Sequence, residues 1–465
     1  MTMRRERDTL GDVEVPADAL WGAQTQRAVE NFPISGYRPY PAFVRGFVLV
    51  KKAAAHANAQ AGRLPQDRCQ AISDACDEIL AGKHLDQFVV DVFQAGAGTS
   101  QNMNANEVIA NLADERLGGK RGEYKKVNPN DHVNMAQSTN DVTPTAIRLA
   151  LLELTAPLCD ELERLATAFD AKAKQYANVV KPGRTHLQDA VPVTFGQEFG
   201  GWATRLRSAS SRIRGARGEL CELGIGGTAA GTGLNADPEY RARVCALLAQ
   251  WTGDPIVPAK DLFAAMQSSA AFVRTSSGMR TAAIELSSIS NDLRLMVSGP
   301  RTGFGELILP PVQPGSSIMP GKINPSIAEM VDQVCYQVIG NDTAVMLGAQ
   351  AGQLELNVMM PGMAFALCFS ATILTSASKV LRERCIDGMR VDEGRAKELL
   401  DASPSLIVTA LAPHIGYARS AALVKRALAE RRPLFDVALE EKVLPEADLR
   451  RVLDPLPMTK GGVQS

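Results

Sequence analysis

Nine apolar residues, Phe195, Phe199, Trp202, Leu206, Ala209, Ile213, Ala216, Leu220 and Leu223, follow one another at alternating steps of four and three. Only an α-helix returns to one face with that rhythm, so residues 195–223 are expected to form a rod with a continuous buried stripe. Further seams run through Leu151, Leu154, Leu158, Leu162, Leu165 and Phe169, and through Met279, Ala282, Leu286, Ile289, Leu293 and Met296. Two more long helices are predicted over 326–348 and 353–384. A helix of about 30 residues is about 45 Å long, far beyond the helices of a compact small domain.

Helix starts can be read from the chain. Thr194 with Gln197 and Ser326 with Glu329 fit the reciprocal capping pattern, and Thr143-Pro144 places a capping residue before a proline at a first helical position. Strand-type alternation is scarce and aromatics are only 5%, so the predicted fold class is all-α. Ala203, Ser208 and Ser210 flank one seam, and Ala282, Ala283, Ser287 and Ser288 another. Small residues on several faces let helices approach on more than one side, which points to a bundle shared between copies of the chain.

At 465 residues the chain is about three times the usual domain length. The expected division is a mixed, mainly helical part over 1–140, a long-helix bundle over 141–393 and a small helical part over 394–465. With 50 basic and 51 acidic residues the net charge is −1, which excludes nucleic acid or an acidic membrane surface as an expected partner. The N-terminal Met1-Thr-Met-Arg-Arg-Glu-Arg-Asp has no apolar stretch behind it, and no run approaches the roughly 18 apolar residues of a membrane span. Eight scattered cysteines without a C-x-x-C pair read as reduced, mostly buried thiols of a cytoplasmic protein. Five histidines, none at metal-ligand spacing, make a protein-bound catalytic metal unexpected.

Four polar clusters interrupt the rods: Gly96-Ala-Gly-Thr99-Ser-Gln-Asn102-Met-Asn104, Gln137-Ser138-Thr139-Asn140-Asp141, Gly183-Arg-Thr185-His186-Leu-Gln-Asp189 and Pro314-Gly-Ser316-Ser317-Ile-Met-Pro-Gly-Lys322-Ile-Asn324-Pro325. The first three read as helix caps, yet each offers more hydroxyls and amides than one cap uses. Helix N-termini also attract carboxylates. The fourth is too rich in glycine and proline for a helix and has the composition of a mobile functional loop. Gly231-Thr-Gly233-Leu-Asn-Ala236 imitates a dinucleotide fingerprint but lacks the strand that would precede one.

The segment Gly315-Ser-Ser-Ile-Met-Pro-Gly-Lys-Ile-Asn-Pro325 resembles the signature loop of the fumarase/aspartase superfamily residue for residue. Gly98-Thr-Ser-Gln-Asn-Met-Asn104, Ser138-Thr-Asn-Asp141 and Gly183-Arg-Thr-His-Leu-Gln-Asp189 resemble its other blocks in order and spacing. That resemblance implies a three-domain fold, a homotetramer around a multi-subunit helical bundle, and active sites each shared by three subunits. It implies anti elimination from a small dicarboxylate to give fumarate without an organic cofactor; whether a divalent ion activates it is not legible. By the same resemblance Ser316 is the base. Thr99, Ser138, Thr139 and Ser317 hold the carboxylate beside the deprotonated carbon, Lys322 and Asn324 hold the other, and Asn140, Thr185 and His186 lie near the leaving group, His186 with a catalytic part.

Within the family, Gln137-Ser-Thr-Asn140, Gly98-Thr-Ser100, Gly352-Gln-Leu-Glu-Leu-Asn-Val-Met359 and Met458-Thr-Lys460 resemble the branch that deaminates L-aspartate. Leu20-Trp-Gly-Ala-Gln-Thr-Gln26 and Gly226-Gly-Thr228 resemble the branch that dehydrates L-malate, and Met360 departs from both. A non-catalytic structural protein on the same fold is the remaining alternative.

Overall fold

The computed structural model describes residues 2–462. Met1 of the N-terminal reading and residues 463–465 of the expected C-terminal part lie outside them. Helices dominate, and among the described residues the sheets are four two-stranded ladders. In order come β1 (Met3–Asp8), β2 (Gly11–Pro16), α1 (Ala23–Asn31), α2 (Pro41–Gln60), α3 (Gln66–Leu80), α4 (Thr99–Arg116), α5 (Thr139–Gln175), β3 (Val180–Thr185), β4 (Gln188–Thr194), α6 (Phe195–Leu220), β5 (Glu222–Leu223), α7 (Tyr240–Thr252), β6 (Val257–Pro258), α8 (Leu262–Gln267), α9 (Ala270–Met296), β7 (Leu307–Ile308), α10 (Ser326–Gln350), α11 (Met360–Leu381) and β8 (Arg390–Val391). Short helices from Glu393 to Met458 complete it.

The chain divides into two compact units. One holds 1–160, 209–284 and 334–375; the other holds 161–208, 285–333 and 376–465. The rods α5, α6, α9, α10 and α11 each supply residues to both.

In the first unit β1 and β2 form an antiparallel hairpin with Met3 opposite Pro16. Its inner residues Val13 and Val15 are buried with Ala19 and Ala23. Helix α2 packs against α3, α4 and α7. It presents Phe47, Val48, Val50, Ala53 and Ala54 to the core, and burying each large side chain contributes about 1.5–3 kcal/mol. The parallel ladder of β5 and β6 pairs Glu222 with Val257.

In the second unit β3 and β4 form an antiparallel hairpin with Thr185 opposite Gln188. The C-terminal helices close over a cluster of Leu411, Leu423, Leu434, Val437 and Leu449. Leu307 pairs with Val391 across β7 and β8.

The predicted seams are buried as expected, apart from Leu154, which is only partly covered. The predicted reciprocal cap of α6 is present: Thr194 N donates to Gln197 Oε1 at 3.0 Å and Gln197 N to Thr194 Oγ1 at 3.0 Å. Helix α6 stops at Leu220, so the last residue of its seam, Leu223, lies in β5. All eight cysteines are buried and unpaired with one another.

Two helix starts and one cap differ from expectation. Helix α5 starts at Thr139, not beside Pro144, which lies inside it. Ser138 N donates to Asp141 Oδ1 at 2.9 Å and Asn140 N to Ser138 Oγ at 3.2 Å, so this pair caps the helix a turn earlier. Ser326 and Glu329 do not form the expected box; Ser326 is already helical and its hydroxyl donates to Asn324 O at 3.4 Å. Helix α11 starts at Met360 rather than 353, because Asn357 folds back on the end of α10. Its amide donates to Gly348 O and Ala349 O, and its Oδ1 accepts from Met359 N.

Contrary to the expectation that no run approaches a membrane span, helices α5 and Met360–Ile386 are long and apolar enough for one; 78% and 56% of those windows are buried, as in core helices.

Candidate active site

The first unit holds Thr99, Ser138, Thr139 and Asn140, all at helix N-termini. Thr99 is the first residue of α4, exposed, with its hydroxyl donating to Gly96 O at 3.3 Å. Gly98 precedes it in the left-handed region at φ +80°, and a Cβ there would stand 3.0 Å from the Thr143 side chain. Only glycine fits that conformation at that clearance without strain. One turn further along α4, Asn102 Nδ2 donates to Thr139 Oγ1 at 3.2 Å and so ties the first polar cluster to the second. Asn140 Nδ2 donates to Ala229 O at 2.8 Å.

Two buried ionisable groups lie behind this surface. Asp141 takes Ser138 N on one oxygen and Gly226 N and Thr228 N on the other. Burial raises its pKa to about 6 against those donors. The Lys51 ammonium, on the buried face of α2, donates to Asn102 Oδ1, Asn134 Oδ1 and Gln137 Oε1 at 2.7, 2.8 and 2.9 Å. Burial lowers its pKa to about 7, with Asp141 acting in opposition. Three acceptors at these distances suit the three N–H bonds of the charged form.

The second unit holds Thr185, His186, Ser316, Ser317, Lys322 and Asn324. Thr185 and His186 lie not at a helix start, as expected, but at the tip of the β3–β4 hairpin, where both are exposed. His186 and Leu187 make the turn at φ 56° and 59°. Non-glycine residues there carry strain of order 1 kcal/mol each, and such strain gathers at functional sites. The hairpin is anchored at its base. Glu306, fully buried, receives Arg184 Nη1 at 2.8 Å and lies 3.2 Å from Lys181 Nζ, which also meets Glu198 at 3.0 Å. The Arg184 guanidinium stacks 4.1 Å above the Phe304 ring.

The segment from Pro314 to Pro325 is irregular, as its prolines and glycines required. Its ends are tied: Gly315 N donates to Lys322 O at 2.8 Å, and Asn324 Nδ2 to Gly315 O at 2.8 Å. A Cβ on Gly315 would fall 2.3 Å from Lys322 O, so this closure demands glycine. Ser316 Oγ accepts from Ile318 N at 3.2 Å and Met319 N at 3.0 Å. Two N–H groups aimed at one hydroxyl oxygen favour its deprotonated form. Ser317 and Lys322 are exposed.

Sequence reasoning left Lys51 and Asn102 out of the site. The signal for Lys51 was a lysine inside Phe47-Val-Leu-Val-Lys-Lys-Ala-Ala-Ala55, a helix apolar on most of its faces. Among the described residues no cluster of three or more histidine, cysteine or acidic side chains could hold a metal ion.

Residues 11–340 match the family model described as lyase, and 407–460 match that of the fumarase C C-terminus. The aspartate ammonia-lyase of Pseudomonas aeruginosa is 52% identical over 97% of this chain and 96% of its own length. The class II fumarate hydratase of Chromobacterium violaceum is 46% identical over 94% and 95%. The crystal structure of a fumarate lyase/delta crystallin from Brucella melitensis superposes with a TM-score of 0.95 at 49% identity, covering 98% of this chain and 100% of the other. With nearly its whole length matched by lyases of this kind, the chain belongs to the fumarase/aspartase superfamily.

Proposed function

We propose that the protein is an aspartate ammonia-lyase, eliminating ammonia from L-aspartate in the anti sense to give fumarate. The observation that carries this reading is the likeness, across nearly the whole chain, to aspartate ammonia-lyases of several bacteria.

The chemistry asks for two things. A proton beside a carboxylate is weakly acidic, and its removal places a second negative charge on that carboxylate. Donors fixed in advance around that group therefore supply most of the rate. Thr99, Ser138 and Thr139, at helix N-termini, and Ser317, on the loop, fill this role. Lys322 and Asn324 hold the other carboxylate. The second need is a base. Ser316 serves, because its oxygen receives the two backbone N–H groups that stabilise an alkoxide. Asn140, Thr185 and His186 attend the departing amine. Acid–base groups and hydrogen bonds suffice for every step, so the reading calls for no organic cofactor.

The protein acts as a homotetramer in the cytoplasm, with residues of three copies completing each site. Polar clusters on both units of the chain, and buried free thiols suited to a reducing compartment, support this. A second reading, hydration of fumarate to L-malate, is favoured by the class II fumarate hydratase likeness.

The test is stoichiometry. Purified protein incubated with L-aspartate is expected to release ammonia and fumarate in equal amounts. Fumarate absorbance that fails to rise with L-aspartate but rises with L-malate would replace the first reading by the second.

A further inference from the structure

Lys51 has no part in the chemistry above, yet it sits behind one of its donors. Its side chain is fully buried, and an ammonium carries three donors and no acceptor. Each donor meets a side-chain amide oxygen, those of Asn102, Asn134 and Gln137. A donor-only centre decides which end of each amide faces inward: the oxygens turn to Lys51 and the nitrogens away from it. Asn134 Nδ2 then donates to Gln137 O at 3.3 Å, and Gln137 Nε2 to Val133 O and Met135 O at 3.0 Å each, which shapes the turn into Ser138. Asn102 Nδ2 donates to Asn134 Oδ1 and to Thr139 Oγ1, at 3.2 Å each.

That last bond has a consequence for Thr139. A hydroxyl has one proton, and an oxygen that accepts from an amide keeps that proton for another partner. With the Asn102 amide reversed, its oxygen would take up the Thr139 proton instead.

We propose that Lys51 is a positioning residue that sets the polarity of Thr139: through Asn102 it makes Thr139 Oγ1 an acceptor on its protein side and so reserves its O–H for a substrate carboxylate. This rests on the reading of Thr139 as a carboxylate donor.

The relay makes a prediction that mere packing does not. Asn102→Asp keeps the size of the side chain and an oxygen toward Lys51, but replaces the donor facing Thr139 and Asn134 by an acceptor, and the cycle with Thr139→Val isolates the Thr139 part. Succinate, an unreactive dicarboxylate, serves as the probe in calorimetric titration. Asn102→Asp and Lys51→Met are each expected to weaken succinate binding by about ten- to a hundred-fold, the range for a hydrogen bond to a charged group. Thr139→Val is expected to do the same. Combining Thr139→Val with either change should add less than about threefold, because all three remove one donor.

Losses that multiply in the double variants, or an Asn102→Asp protein that binds succinate normally, would overturn the proposal. Should Lys51→Met not fold, the Asn102→Asp cycle decides alone. Turnover of L-aspartate is scored separately, so a protein that binds succinate without deaminating aspartate fails the functional reading while the cycle remains measurable. Wild-type protein that binds no succinate overturns both.

Discussion

Ser316 and Lys322 occupy the same irregular loop, and their environments assign them different work. The Ser316 oxygen is met by two backbone N–H groups, whereas the Lys322 side chain stands exposed. Removing the Ser316 hydroxyl should therefore lower kcat and kcat/KM together, by about a thousandfold or more, since a base acts only in the transition state. Because Ser316 lies outside every packed seam, the Ser316→Ala protein should keep its helical circular dichroism. Lys322→Ala should raise KM for aspartate as well as lower kcat, because a carboxylate is present in substrate and transition state alike. A folded Ser316→Ala protein of near-normal turnover would remove this base from the account. At this scale the sequence was informative where side chains interrupt a pattern. Paired serines, a lysine and an asparagine inside a Gly/Pro segment have no packing role. Lys51 was hidden for the opposite reason: beside Lys52 it breaks an apolar run by only two residues, and its three amide partners lie on other segments, 51 to 86 positions away.

The rods were legible as elements because a 3.6-residue period survives along their whole length, as the burial of the Phe195–Leu220 stripe shows. Their ends were less so. Caps depend on which hydroxyl or carboxylate reaches a free N–H, and Asp141 reaches Ser138 before Pro144 can mark a start. The β3–β4 hairpin escaped altogether, since its turn is His186-Leu187 rather than the glycine or asparagine that announces such turns. What holds that unfavourable turn is the ionic base beneath it. Glu306 faces both Lys181 and Arg184, so Glu306→Ala leaves one buried and one partly buried cation with one fewer counter-charge. The expected loss is about 3–5 kcal/mol of stability, read as a lower midpoint in denaturant, with impaired turnover because Thr185 and His186 lose their anchor. An unchanged midpoint would show that the hairpin is held by other contacts.

On the scale of the whole molecule, the seams that bury one face of each rod leave apolar side chains on others. Ile284 on α9 and Tyr336, Met346 and Leu347 on α10 are each half exposed or more. Large apolar side chains left exposed along rods are of the kind that association buries. Light scattering at micromolar concentration should therefore return a mass four times that of the 49.8 kDa chain. A monomeric mass would contradict both the tetramer and the shared site. The choice of substrate is decided by kcat/KM for L-aspartate and for L-malate, measured on one preparation by the ultraviolet absorbance of fumarate. A clear preference for aspartate, abolished by Ser316→Ala, is expected; turnover of malate with none of aspartate would overturn the aspartate ammonia-lyase reading.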